Sequence, residues 1–99
     1  MIHYGIQAIP APGQGPALLE TVPTYKKLLA KHGAKSAQSF IVAAGQDVGS
    51  VFHVIAYDTI AAAEKVQDAV RNDGEWNDLQ AKVAPLVASY SITTLAELE

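Results

Sequence analysis

The chain of 99 residues contains no cysteine, which excludes a disulfide scaffold, a thiolate zinc site and a cysteine nucleophile. It is also short of charge. Asp, Glu, Lys and Arg make up 17%, against roughly 25% in an average globular chain, while hydrophobic residues reach 49%. That combination excludes disorder, which needs few apolar residues and a high net charge. The formal net charge is -3 and there is no basic run, so neither nucleic acid nor an anionic membrane is an expected partner. No apolar stretch approaches the roughly 18 residues of a membrane span. The opening Met1-Ile2-His3-Tyr4-Gly5-Ile6 has neither the basic start nor the apolar run of a secretory signal. A cytoplasmic, single-domain protein spanning residues 1–99 is expected, because this length matches one domain and leaves no room for two.

What charge there is clusters. Met1 to Leu19 holds no Lys, Arg, Asp or Glu, Ser36 to Tyr57 holds only Asp47, and Val83 to Ala96 holds none. The uncharged stretches contain the segments that read as strands. Ile2–Ile9 is a predicted strand, stopped by the loop Pro10-Ala11-Pro12-Gly13-Gln14-Gly15-Pro16. Leu18, Val22, Tyr25, Leu29 and His32 then recur at steps of four and three, one apolar stripe of a helix ended by Gly33. Pro23 either opens the main helix or kinks a longer one. Ala37–Ala44 is a second strand, Gly45-Gln46-Asp47-Val48-Gly49 a hairpin loop, and Val51–Tyr57 a third strand. Asp58 or Thr59 is placed to cap a helix whose buried face is Ile60, Ala63, Val66 and Val70. Asn72-Asp73-Gly74 breaks that helix. Trp76, Leu79 and Val83 mark a shorter one ending near Pro85, and Ser89–Leu95 is the last strand.

The order strand, helix, strand, strand, helix, strand is the ferredoxin-like α+β arrangement, with both helices on one face of an antiparallel sheet. A sheet with one wet face alternates apolar and polar residues, and these strands do not. Phe52, Val54 and Ala56 lie on one face of the third strand, and Val51, His53, Ile55 and Tyr57 on the other. Phe40, Val42 and Ala44 oppose Ser39, Ile41 and Ala43 in the second. The helices can bury only one side, so the other leaves a larger apolar patch than a monomer usually shows. A homodimer joined through the sheet face is the expected remedy.

His53 is the strongest candidate for chemistry. It interrupts an apolar strand, and burying an imidazole requires a compensating hydrogen bond. In a pocket it would serve as a general base; in the core it would bond a backbone carbonyl or Tyr57, two residues along the same face. Trp76, at the start of a short helix, is placed to line the mouth of a cavity or to anchor that helix. Tyr25 faces the same space from the first helix, and Tyr4 does so if it, rather than His3, lies on the helix side. His3, His32 and His53 show no ligand spacing, so no metal, haem or other cofactor is expected. Gly13-Gln14-Gly15 lacks the third glycine of a dinucleotide loop, and no phosphate-binding loop or nucleophile elbow occurs.

Three segments together resemble the NIPSNAP family: Val51-Phe52-His53-Val54-Ile55-Ala56-Tyr57, Asp73-Gly74-Glu75-Trp76 and Lys31-His32-Gly33. The likeness runs from Tyr4 to about Leu95. Ile55 stands where the family usually has Trp, Gly74 where it has Pro, and the arginines that often follow the Tyr strand are replaced by Ala61-Ala62-Ala63. The resemblance implies a dimeric α+β barrel, two ferredoxin-like sheets facing each other, in a superfamily that holds cofactor-free monooxygenases, polyketide cyclases, haem-degrading enzymes and proteins without known activity. It implies in turn either a homodimer with a pocket for a small aromatic or apolar ligand, or an antibiotic biosynthesis monooxygenase-like or cyclase-like enzyme. In the enzyme His53 would abstract a proton and Tyr57 would orient His53 or the substrate. Fold alone does not choose between them.

Overall fold

The computed structural model describes residues 1–98. Its elements run β1 (Ile2–Pro10), α1 (Gly15–Glu20), α2 (Val22–Lys31), β2 (Ser36–Ile41), β3 (Val51–Tyr57), α3 (Ile60–Arg71), α4 (Gly74–Val83) and, after a 3-10 turn at Ala84–Leu86, β4 (Val87–Ala96). The four strands form one antiparallel sheet in the order β2-β3-β1-β4. This is the expected ferredoxin-like α+β arrangement. No helix is long and apolar enough to cross a membrane among the described residues.

The apolar stripes determine which side of the sheet is covered. Register places Ile6 opposite His53 and Tyr4 opposite Ile55, and directly opposed residues share a face. Ile6, Ile55 and Tyr57 therefore meet Leu29 of α2 and Ala63, Val66 and Val70 of α3 in one core. Ala8, Val51 and Leu18 form a second, smaller cluster. Full burial of each aliphatic side chain contributes about 1.5–3 kcal/mol, and on the helix side of β3 Val51 and Ile55 are both buried in this way.

Local details refine the sequence reading. The loop before the first helix is shorter than expected, because α1 begins at Gly15 with Pro16 in its first turn, where a missing N–H costs nothing. The helical stripe is split at Thr21, whose hydroxyl donates to the Leu18 carbonyl at 2.6 Å. Pro23 lies in the first turn of α2 and so opens it. Gly33 ends α2 with φ +107°, a backbone region that side chains disfavour. β2 stops at Ile41, short of the expected Ala44. Beyond it only Val42 still pairs, its N–H donating to the Ser50 carbonyl at 2.9 Å and its carbonyl accepting from the Gly49 N–H at 2.8 Å, and the chain then turns through the loop. Thr59, not Asp58, caps α3 by accepting from the Ala62 N–H at 3.0 Å, and Asp58 instead pairs with Lys35 at 3.0 Å. Pro10 ends β1 at an irregularity in its pairing with β4, where the absent donor is tolerated.

Candidate functional site

A cavity of about 750 Å³ lies between the helix side of the sheet and the helices. Its floor comes from β1 and β3, its walls from α1, α2, α4 and Gln67 of α3, and its outer rim from β4. Tyr4, Tyr25, His53 and Trp76 all line it. Tyr4, not His3, thus faces the helices. None of the lining residues is Lys, Arg, Asp or Glu.

His53 is placed by β3 pairing. It sits opposite Ile6 on one side and Ser39 on the other, and only 8% of it is exposed. Its Nδ1 is 2.7 Å from the Ser39 hydroxyl. That is the compensating bond burial demanded, and it comes from neither a backbone carbonyl nor Tyr57. Tyr25 stacks on the imidazole, with ring centroids 4.4 Å apart and planes at 29°. Burial, and secondarily the nearby Lys26 ammonium, lower the His53 pKa to about 4, so the ring is neutral at neutral pH. Nε2 has no protein partner among the described residues, yet no fully buried side-chain N or O is left unpartnered. It is therefore open to the cavity.

Tyr57 is placed differently. Only 1% of it is exposed, it packs in the core, and it does not line the cavity. Its hydroxyl accepts from the Gln67 amide at 3.3 Å, and its ring meets Tyr4 edge-on at 5.2 Å. The structure does not join it to His53. Burial also pushes the Tyr25 hydroxyl up beyond the ordinary phenol range, with Tyr90 and Tyr57 adding to the effect.

Trp76 completes an aromatic row. Its ring lies 5.4 Å from Tyr25 at 31°, so Trp76, Tyr25 and His53 succeed one another along the cavity. Its position depends on Asp73. One carboxylate oxygen of Asp73 accepts from the Glu75 N–H at 2.9 Å and caps α4. The other accepts from His32 Nε2 at 2.6 Å and from the Lys31 ammonium at 3.0 Å. The bonds from His32 and Lys31 hold the Asp73 carboxyl well below the usual carboxylate range. The Lys31-His32-Gly33 and Asp73-Gly74-Glu75-Trp76 segments are thus two halves of one clamp between α2 and α4.

Sequence reasoning missed Ser39 and Asp73 as parts of this arrangement. Ser39 is the lone hydroxyl on the face of β2 that includes Ile41, and hairpin pairing with β3 was the signal that it meets His53.

The NIPSNAP family model matches residues 11–98. The chain belongs to the NIPSNAP family. No curated protein sequence matches it. Among solved structures, an uncharacterized NIPSNAP domain protein from Burkholderia xenovorans superposes with TM-score 0.87 at 15% identity, covering 99% of this chain and 95% of that one. A NIPSNAP family protein from Agrobacterium tumefaciens gives TM-score 0.85 at 16% identity, covering 99% and 93%. A Nitrosomonas europaea protein with the provisional name antibiotic biosynthesis monooxygenase gives TM-score 0.77 at 13% identity, covering 98% and 89%. At these identities the likeness is one of fold.

Proposed function

We propose that this NIPSNAP protein is a cytoplasmic homodimer that binds a small apolar ligand in the cavity between its helices and sheet, without a cofactor. The observation that carries the reading is the cavity itself: about 750 Å³, walled by aromatic and aliphatic side chains, with one unpaired ring nitrogen of His53 directed into it. Ligand pockets are typically about 300–1,000 Å³, mostly apolar, with a few placed polar groups. A thermal-shift screen of apolar compounds on the wild type and on His53→Ala tests it. A ligand that binds only the folded state raises Tm; the reading expects such a compound, with a smaller shift in the variant. No shift from any compound in an apolar set spanning the cavity's size overturns it.

The homodimer rests on the sheet face away from the helices. There Phe40 is 52% exposed and Leu95 44%, and Phe52 and Val54 are half-buried beside them. The paired positions of this face include no Lys, Arg, Asp or Glu, so a second copy covers it without burying unpaired charge. Sedimentation of a 10.5 kDa monomer at high protein concentration overturns the dimer.

A second reading is a cofactor-independent monooxygenase or polyketide-cyclase-like enzyme with His53 as general base. It is favoured by an unprotonated imidazole with a free nitrogen in the cavity and by the fold shared with the Nitrosomonas europaea protein. It ranks second because a base works best with a pKa near the operating pH, and burial holds His53 at about 4. Oxygen uptake driven by a bound compound and abolished in His53→Ala would reverse the ranking.

A further inference from the structure

The polar groups of the cavity are unequally occupied. Thr21 donates to the Leu18 carbonyl at 2.6 Å and Gln67 to the Tyr57 hydroxyl at 3.3 Å. Gln80, Ser89 and Thr94 stand on the exposed rim. Nε2 of His53, the Tyr4 and Tyr25 hydroxyls and Nε1 of Trp76 have no protein partner among the described residues. Of these four side chains only His53 is buried, and only its ring is fixed by a second hydrogen-bonded atom, Nδ1 on Ser39. Beside it stand the rings of Tyr25, stacked on the imidazole, and of Trp76, next to Tyr25. No charged side chain lines the space to balance a charged ligand, and moving an ion out of water without a partner costs several kcal/mol.

We infer that the cavity selects an uncharged, flat ligand carrying a hydroxyl group that pairs with Nε2 of His53, and that Ser39 is the positioning residue that holds the ring for it. This rests on the reading of the cavity as a ligand site. The Ser39 hydroxyl can donate to Nδ1 or accept from it, so Nε2 is presented as a donor or as an acceptor. A ligand hydroxyl satisfies both forms, which a carbonyl or an amine without exchangeable roles does not. The environment agrees from two directions. Burial is the first cause of both the raised Tyr25 hydroxyl and the lowered His53 imidazole. An acid and a base are each pushed toward the neutral form, which is the signature of poor solvation and not of one sign of charge. The Lys26 ammonium acts on His53 only secondarily and does not line the cavity.

Three probes of one ring shape isolate the claim: naphthalene, 2-naphthol and 2-naphthoate, titrated by calorimetry at neutral pH. The indole N–H resonance of Trp76, the only tryptophan, reports whether each enters the cavity. The wild type is expected to bind 2-naphthol about tenfold more tightly than naphthalene, the size of one net hydrogen bond, and 2-naphthoate at least tenfold more weakly than 2-naphthol. In His53→Phe the preference for 2-naphthol over naphthalene collapses, and because it is a ratio within one variant, a general loss of packing does not imitate it. In Ser39→Ala the preference shrinks about threefold while naphthalene affinity holds. Equal binding of naphthalene and 2-naphthol by the wild type, or tighter binding of 2-naphthoate, overturns the inference and leaves the ligand site standing. Absence of heat and of any Trp76 shift with all three overturns both.

Discussion

β3 and β4 flank β1 on its two sides, pair with it antiparallel and turn apolar or aromatic side chains toward the helices. Their fates differ. On β3 every helix-side residue, Val51, His53, Ile55 and Tyr57, is buried, whereas Tyr90 and Ile92 of β4 are 61% and 53% exposed. The helices pack on β2 and β3 and reach β1 at Ile6 and Ala8, while Tyr90 and Ile92 of β4 stay uncovered. The helical layer ends one strand before the sheet does, and the step between them is the mouth of the cavity. Similar side chains form a core where the helices cover the sheet and a binding wall where they do not.

The sharpest way to break that contrast is a matched pair of truncations. Ile55→Ala, at a site with 0% exposure, is expected to cost about 2–5 kcal/mol in urea unfolding. Ile92→Ala should cost less than about 1 kcal/mol, as exposed sites do, and should weaken ligand binding instead. Comparable costs at the two sites would show that β4 is covered as well as β3 in solution.

The same contrast explains what was legible in the sequence. β3 is legible to the residue because its ends coincide with a glycine loop and a cap, and alternation groups Val51, His53, Ile55 and Tyr57 on one face, but it does not say which face the helices cover. Tyr25 and Trp76 are legible at the cavity because each needs only its place in its own helix, whereas Tyr4 is separated from His3 only by which face of the sheet the helices cover. Relations between elements were not legible. Ser39 reaches His53 only through a strand register, and Asp73, which reads as part of a helix break, meets His32 across 41 positions. Tyr57 was paired with His53 because alternation puts both on one face; a shared face does not bring two side chains into contact when one points into the core and the other into a cavity.

The α2–α4 clamp sets how firmly the covered region holds the cavity wall. Asp73→Ala removes the cap of α4 and the acceptor for His32 and Lys31 together. It is expected to lower Tm by roughly 4–8 °C and to shift Trp76 emission to the red as its ring gains water. An Asp73→Ala protein with unchanged emission would separate the clamp from the cavity. The acid limb supplies the sign. Because the folded Asp73 pKa is depressed, its contribution is complete above about 3.9, the ordinary Asp value, and is lost as pH falls below it. Asp73→Asn should remove that part of the acid sensitivity.

A pH dependence belongs to His53 and distinguishes a wall residue from a core residue on β3 itself. Its pKa falls from 6.5 unfolded to about 4 folded, chiefly through burial, so between those values the unfolded chain binds the extra proton. Stability then rises with pH across that window: the neutral ring costs the fold nothing above about 6.5, and the fold weakens as pH drops from there toward 4. Tyr25, stacked on the ring, stays uncharged throughout and does not supply this slope. Urea midpoints of the wild type should decline from pH 6.5 to pH 4 by more than those of His53→Phe, with the two curves parallel above pH 6.5. Parallel curves across the whole range would mean that His53 is solvated in the folded protein, and that the covered half of the sheet ends at β3 and not at β1.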